Sequence, residues 1–358
     1  YIVPPPYGGM TTWVPQIEAS LNWDLDLFGR NTAAIAQTRA RSDAARLDAA
    51  AARLALSVAI AQTYIGLAQA DQQIVVADGF VDTRQTALRL VQARVRSQLA
   101  SQFDLQQAQT LLAEAEQYRT RAGEQRDAMI HALAALVGRG TDFYGSIKSP
   151  TLKFAAPPQV PDALPADLLG RRPDLLAGQA RIAAAVAGRT EAKAEFLPDI
   201  SIQALVGTLA LGLGNAFKVG SAEYGVGPAI HLPIFEGGRL KAQYNGAVAG
   251  LDEAVATYNA SVVNAVRDAA DAATHVAGAD RDLAAQTRIV AGLRETVRLD
   301  RVRTSTGLGS QLDAVESGFR LLEAEQQLVD LQAQAFARRI QLIAALGGGF
   351  DPRSAEHS

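Results

Sequence analysis

Cysteine is absent from all 358 residues, which excludes a disulfide framework, a thiolate nucleophile and a thiolate metal site. The four histidines, His131, His231, His275 and His357, are scattered without helical ligand spacing and read as incidental. Net charge is only −3 and no dense Lys/Arg cluster occurs, so no nucleic-acid partner is indicated. No unbroken apolar run reaches the roughly 18 residues that a membrane-crossing helix needs. The opening YIVPPPYGGM lacks the basic start and apolar run of a signal peptide, and it reads as entry into the chain inside a structural unit. With neither a nucleophile–base pair nor a phosphate loop, the sequence is not that of an enzyme, and it implies no cofactor and no metal.

Proline is missing from 31–96 and again from 240–304, stretches rich in Ala, Leu, Val, Gln and Arg. A straight helix over either would span on the order of 100 Å, far beyond a globular helix. The two stretches belong to an internal duplication. SQFDLQQAQTLLAEAEQ at 101–117 lines up without gaps on SQLDAVESGFRLLEAEQ at 310–326, and Leu25-Asp26-Leu27-Phe28 falls, with a small slip, on Leu232-Pro233-Ile234-Phe235.

Each half reads strand, long helix, break, long helix. The first repeat is assigned to 1–156, with a strand at 17–28 and helices at 31–96 and 101–138. A linker and short helix follow at 157–195. The second repeat takes 196–350, with strands at 196–207 and 223–235 and helices at 240–304 and 310–346, before a tail at 351–358. The second helices carry a coiled-coil stripe with 3-4 spacing, Leu105, Ala108, Leu112, Ala115 and Ala122 in one copy and Ala314, Ser317, Leu321, Ala324 and Leu328 in the other. Arg119 and Arg126 interrupt the first stripe. Ser101-x-x-Asp104 and Ser310-x-x-Asp313 resemble capping boxes, so each half is expected to fold as an antiparallel helical hairpin.

In the first strand Ile17, Ala19, Leu21, Trp23, Leu25 and Leu27 alternate with Glu18, Ser20, Asn22, Asp24 and Asp26. Such alternation fits the half-exposed strand of a soluble sheet, or a membrane-barrel strand with one face to lipid and one to a watery lumen. Three strands cannot close a barrel, since even small barrels need about eight, so a membrane reading requires several copies of the chain.

WDLDLFGR, GRRPDLLAGQARIAAAVA (170–187), AEFLPDISI (194–202) and LPIFEGGRLKA (232–242) together resemble the outer-membrane efflux proteins of the TolC type, in the NodT-like lipoprotein subgroup that serves resistance-nodulation-division pumps. The resemblance runs over about 13–349. It implies a mainly α fold with a membrane β-barrel: a homotrimer whose subunits each give four strands to one barrel, continued by an α-helical barrel through the periplasm. Only three strands are visible here; the first strand, the helix before it, the signal peptide and an acylated cysteine would lie upstream of Tyr1.

On this resemblance Leu21, Trp23, Leu25 and Leu27 would face lipid, and Glu18, Asp24 and Asp26 the lumen, where acidic groups favour cations. The periplasmic gate would fall on Leu312 and Glu316, with Phe103 and Gln107 in the equivalent places of the first half. By spacing alone Leu312 reads as coiled-coil core and Glu316 as a solvated helix position. Some relatives have an arginine three residues after the acid, where this chain has Phe319, with Arg320 next to it. Leu99, Gly307 and Leu308 would form the docking tip for a periplasmic adaptor, the membrane fusion protein, itself joined to an inner-membrane pump. The implied function is a passive exit duct of the Gram-negative outer membrane, conducting drugs or other toxic small molecules. The alternatives are a duct for type I protein secretion or metal-ion efflux, or a soluble coiled-coil scaffold.

Overall fold

The computed structural model of the chain describes residues 13–150, 170–210, 212–348 and 350. The opening loop, the proline-rich linker at 157–169 and the tail at 351–358 lie outside the described residues. The elements are β1 (Gln16–Asp24), α1 (Arg30–Arg96), α2 (Gln102–Leu136), a short 3-10 helix (Thr141–Ser146), α3 (Pro173–Ala194), β2 (Asp199–Leu209), β3 (Ala222–His231), α4 (Arg239–Ser305) and α5 (Gln311–Ala345). The duplication is visible in the lengths: α1 and α4 each have 67 residues, α2 and α5 each 35.

The chain divides into two compact units, Tyr1–Arg46 with Ala177–Ala260 and Leu47–Leu176 with Ser261–Ser358. In the first, the three strands form one antiparallel sheet in the order β1-β2-β3. The registers Leu21↔Ala204 and Ala204↔Val226 carry one parity across all three strands. Ile17, Leu21, Trp23, Ile202, Val206, Tyr224, Val226 and Ile230 thus share one face, while Glu18, Ser20, Asn22, Asp24, Ser201, Gln203 and Glu223 share the other. A one-residue slip would exchange the faces, so the apolar pattern specifies the register.

The strand limits differ from those expected from the sequence. β1 ends at Asp24 rather than 28, because Asp26 turns the backbone into the left-handed region (φ 45°) and begins the approach to α1. Asp and Asn enter that region more readily than most residues. β2 runs Asp199–Leu209 and β3 stops at His231, two residues before Pro233, which cannot donate to a ladder. Leu25, Leu27, Ile234 and Phe235 therefore fall in strand-to-helix turns and not on the sheet.

The second unit is held by helix packing. On α1, Ile65 and Ala68 pack against Ala333 and Phe336 of α5, and Val76 and Phe80 pack against Ala115 of α2 and Val329 of α5. Leu67 packs with Ile130 and Leu133 of α2, and Ala272 and Val276 of α4 with Leu342 of α5. Gly79 marks a close approach, since a Cβ there would meet Leu322 Cδ2 at 2.9 Å. Ala108, Ala115 and Ala122 are buried at heptad spacing, where small side chains let helix backbones come near one another.

Arg119 and Arg126, which break the apolar stripe of α2, reach back to Asp78 and Asp71 of α1, the second pair at 2.8 Å. They act as rungs across the hairpin. Within α1 one window is apolar enough, by length and composition, to cross a membrane, although no unbroken run suggested one; most of it is not covered by this chain.

Candidate functional site

Two regions carry the residues singled out in the sequence. The first is the sheet and its join to α1. Glu18 and Asp24 stand on the polar face, where Gln16 Nε2 donates to Glu18 Oε2 at 3.0 Å and Asn22 Nδ2 to Asp24 Oδ1 at 3.3 Å. Leu21 and Trp23 stand exposed on the apolar face, 66% and 61% accessible.

Asp26 does something different from its expected place on a lumen wall. Its carboxylate accepts from Asn31 N–H (2.7 Å), Thr32 N–H (2.8 Å) and Thr32 Oγ1 (2.6 Å), satisfying donors that the first turn of α1 leaves open. Leu25 N–H still pairs with Ile200 O at 3.0 Å, whereas Leu27 sits exposed in the turn. Arg30 then bonds Asp199 at 2.8 Å, so one ion pair joins the WDLDLFGR and LPDIS motifs, 169 residues apart. Arg172 of GRRPDLL pairs with Asp174 at 2.8 Å and donates to Ala345 O at 3.2 Å, tying the start of α3 to the end of α5.

The second region is the pair of turns that end the hairpins. Both have the same backbone. Leu99 N–H donates to Arg94 O and Leu308 N–H to Arg303 O, each at 2.8 Å, as in a Schellman-type helix end. Gly307 supplies the left-handed residue (φ 75°), and Gln98, without glycine's freedom, adopts the same conformation (φ 59°). Leu99 and Leu308 are both exposed.

The helix starts after the turns are not equivalent. Ser101 and Asp104 make the full reciprocal box: Ser101 N–H donates to Asp104 Oδ2 at 2.8 Å and Asp104 N–H to Ser101 Oγ at 3.2 Å. The Ser101 N–H, and the Ser101 hydroxyl, which also donates to Asp104 Oδ2 at 2.8 Å, hold the Asp104 carboxyl below its ordinary value. Ser310 Oγ instead accepts from Leu312 N–H at 3.0 Å, and among the described residues no bond returns from Asp313.

Between the hairpin ends lies a cavity of about 690 Å³ whose wall includes Leu99, Gln107, Leu312, Glu316, Phe319 and Arg320. Leu312, Glu316 and Gln107 are thus brought together on the cavity wall, while Phe103 is exposed and is not part of that wall. Glu316 pairs with Arg320 at 3.1 Å, one helical turn on. The guanidinium that meets Glu316 is thus that of Arg320, while position 319 holds a phenylalanine.

Phe319 faces inward, 5.0 Å from the Phe80 ring, with the Arg84 guanidinium 3.6 Å above its own ring. Burial pulls Arg84 below the ordinary arginine value, and the carboxylates of Glu323, Glu114 and Glu316 pull it back up. Sequence reasoning missed Arg84 because its partner lies on a helix from the other repeat. Phe319 as the odd residue at that position was the only local signal. Among the described residues no group of acidic or histidine side chains stands together as a metal site.

The family model described as Outer membrane efflux protein matches residues 10–139 and 164–348. The multidrug resistance outer membrane protein MdtP of Shigella flexneri is 31% identical over 331 residues, spanning 91% of this chain and 67% of its own. The toluene efflux pump outer membrane protein TtgI of Pseudomonas putida is 30% identical over 335 residues, 92% of this chain and 70% of that protein. The crystal structure of the outer membrane protein VceC from Vibrio cholerae superimposes with a TM-score of 0.83 at 29% identity, covering 95% of this chain and 88% of that one.

Proposed function

The chain belongs to the outer membrane efflux protein family, and on that premise we propose that three copies join their sheets into one barrel, with Leu312 and Glu316 ringing a gate at the hairpin ends. The protein is an efflux channel and not an enzyme; it resides in the outer membrane of a Gram-negative bacterium and extends into the periplasm. That location sets aside the soluble-scaffold alternative.

The observation that supports the trimer is the sheet with one apolar and one acidic face, whose outer strands β1 and β3 have no further strand partner among the described residues. In lipid every backbone group must be paired, so an open sheet cannot stand alone and copies must close it. The apolar face meets lipid through Leu21 and Trp23, and Glu18 and Asp24 line a lumen that favours cations. The uncovered apolar window of α1 is the kind of surface that a neighbouring copy would bury.

At the gate, three Glu316 carboxylates would repel one another if bare. Arg320 on the same helix neutralises each, which lets the Leu312 ring approach closure; with both side chains 66% exposed the pair is weak enough to break. Leu99, Gly307 and Leu308 offer the exposed tips to a periplasmic adaptor, which links the duct to an inner-membrane pump of the resistance-nodulation-division class. The cargo is drug-like or solvent-like small molecules, the classes named for MdtP and TtgI.

Single-channel recording in planar bilayers tests the gate. Leu312→Ala combined with Glu316→Gln is expected to raise conductance roughly two-fold or more by widening the constriction. Unchanged conductance would remove both residues from the gate.

A further inference from the structure

The apolar face of the sheet continues past the strand ends. Ala210 N–H donates to Pro15 O at 3.2 Å and Gly212 N–H to Trp13 O at 2.7 Å, so Trp13 keeps the register of Ile17 and Leu21. Its side chain is 77% exposed. From Trp13 to Trp23 the strand rises by about 33 Å, which at a tilt of about 40° gives a height of about 25 Å, the apolar band of an outer-membrane barrel. If the sheet is a barrel wall, the two tryptophans would mark its two rims, with Trp13 at the rim away from the start of α1.

The connection from β2 to β3 begins at the Trp13 rim. Thr208, near the end of β2, has its side chain on the apolar face, opposite Ile17. Its Oγ1 donates to Ala216 O at 2.6 Å, so the connection is drawn toward the apolar side of the sheet and away from the acidic side. Internal bonds then shape it: Lys218 N–H to Asn215 O at 3.1 Å, Ser221 N–H to Lys218 O at 2.9 Å and Ser221 Oγ to Asn215 O at 2.9 Å. The surface so presented is Phe217, 87% exposed, and Val219, 94% exposed, with Lys218 between them. Among the described residues no ion pair holds the Lys218 ammonium.

In water, two large apolar side chains held out in this way gain nothing from burial. At the headgroup layer of a membrane the same trio is favourable, because ring and branched side chain enter the interface while an ammonium meets phosphate. We infer that this connection is a surface anchor on the lipid side of the sheet: Phe217 and Val219 enter the headgroup layer, and Lys218 holds a lipid phosphate. The inference rests on reading the sheet as a barrel wall. It assigns the connection to the membrane surface and not to the mouth of the pore.

The sequence contains no cysteine, so single cysteines can be labelled with an environment-sensitive fluorophore in protein reconstituted into phosphatidylethanolamine/phosphatidylglycerol vesicles. The label at Phe217→Cys is expected to be quenched by headgroup-level nitroxide lipid as at Leu21→Cys. It should also be about three-fold less accessible to aqueous iodide than the label at Asn22→Cys. A label at 217 that behaves like the one at 22 overturns the anchor. If the label at 21 escapes lipid quenching, the barrel reading itself fails. Lys218→Glu is expected to at least halve the phosphatidylglycerol retained in native mass spectrometry, and Lys218→Arg to keep it; equal retention in all three proteins overturns the phosphate contact.

Discussion

The two helical hairpins repeat one design about 209 residues apart, yet they place their central charge differently. Asp71 on α1 and Asp280 on α4 are equivalent positions. Asp71 pairs with Arg126 at 2.8 Å, and Asp280 with Arg339 at 2.6 Å. Arg339, however, stands one helical turn beyond the equivalent of Arg126, at the place that Ile130 fills in the first repeat. The Arg126 side chain is 32% exposed and that of Arg339 only 8%. The acids run the other way, Asp71 22% and Asp280 45% exposed, so it is the guanidinium that is buried in the second hairpin and half-wet in the first. A duplicated backbone tolerates either, provided the acid finds a guanidinium within reach. The consequences differ, because an unpaired charge is far more costly inside than at a surface.

The largest test of that difference removes each acid in turn. Asp280→Ala is expected to destabilise the protein by about 3 kcal/mol, the low end for a buried pair, because Arg339 is left buried without its carboxylate while Asp280 itself is 45% exposed. Asp71→Ala should cost about 2 kcal/mol or less, the worth of a partly solvated charge-assisted bond. Chemical denaturation in detergent reads both, and Asp280→Ala combined with Arg339→Met should recover most of the loss by substituting apolar packing for the pair. Equal costs for the two acids would show that the slide of the arginine has no energetic meaning.

The hairpin turns sharpen the comparison on a smaller scale. Gln98 and Gly307 share one left-handed conformation, which only glycine adopts freely. Gln98→Gly is expected to stabilise the first turn by about 1 kcal/mol and Gly307→Gln to weaken the second by about as much. Thermal unfolding of the two single variants checks the opposite signs.

The smallest effect is in the caps and depends on pH. The Asp104 carboxyl is depressed by its bonds from Ser101, so its contribution is present above the carboxyl's unfolded value and is lost as pH falls through the lower folded value. Hydrogen exchange in the first turn of α2 is expected to accelerate over that acidic window. The first turn of α5, where Asp313 makes no return bond among the described residues, should change less.

Much of the fold was legible because its signals are local. Alternation from Ile17 to Asp24 and 3-4 spacing along α2 and α5 each repeat within a few residues, and absence of proline permits helices of 67 residues. Strand ends were harder to place. Asp26 reads as one more acidic strand residue until Asn31 and Thr32 are seen to donate to it, and a cap is recognised only when the helix behind it is in place. At the hairpin ends, Leu312 and Glu316 came from family resemblance, and spacing alone would have left them as core and solvent.

By itself the sequence determined the duplication, the two long hairpins and the existence of a two-faced sheet, since periodicity sets which side chains share a face whatever surrounds them. Only the tertiary structure decided that Asp280 takes Arg339, that Arg84 lies on Phe319, that Phe103 leaves the cavity its counterpart Leu312 lines, and that Thr208 draws Phe217 and Lys218 to the apolar side. Those choices depend on how helices rotate against one another and how far a long side chain reaches across the gap. Residue spacing along one chain carries no record of either.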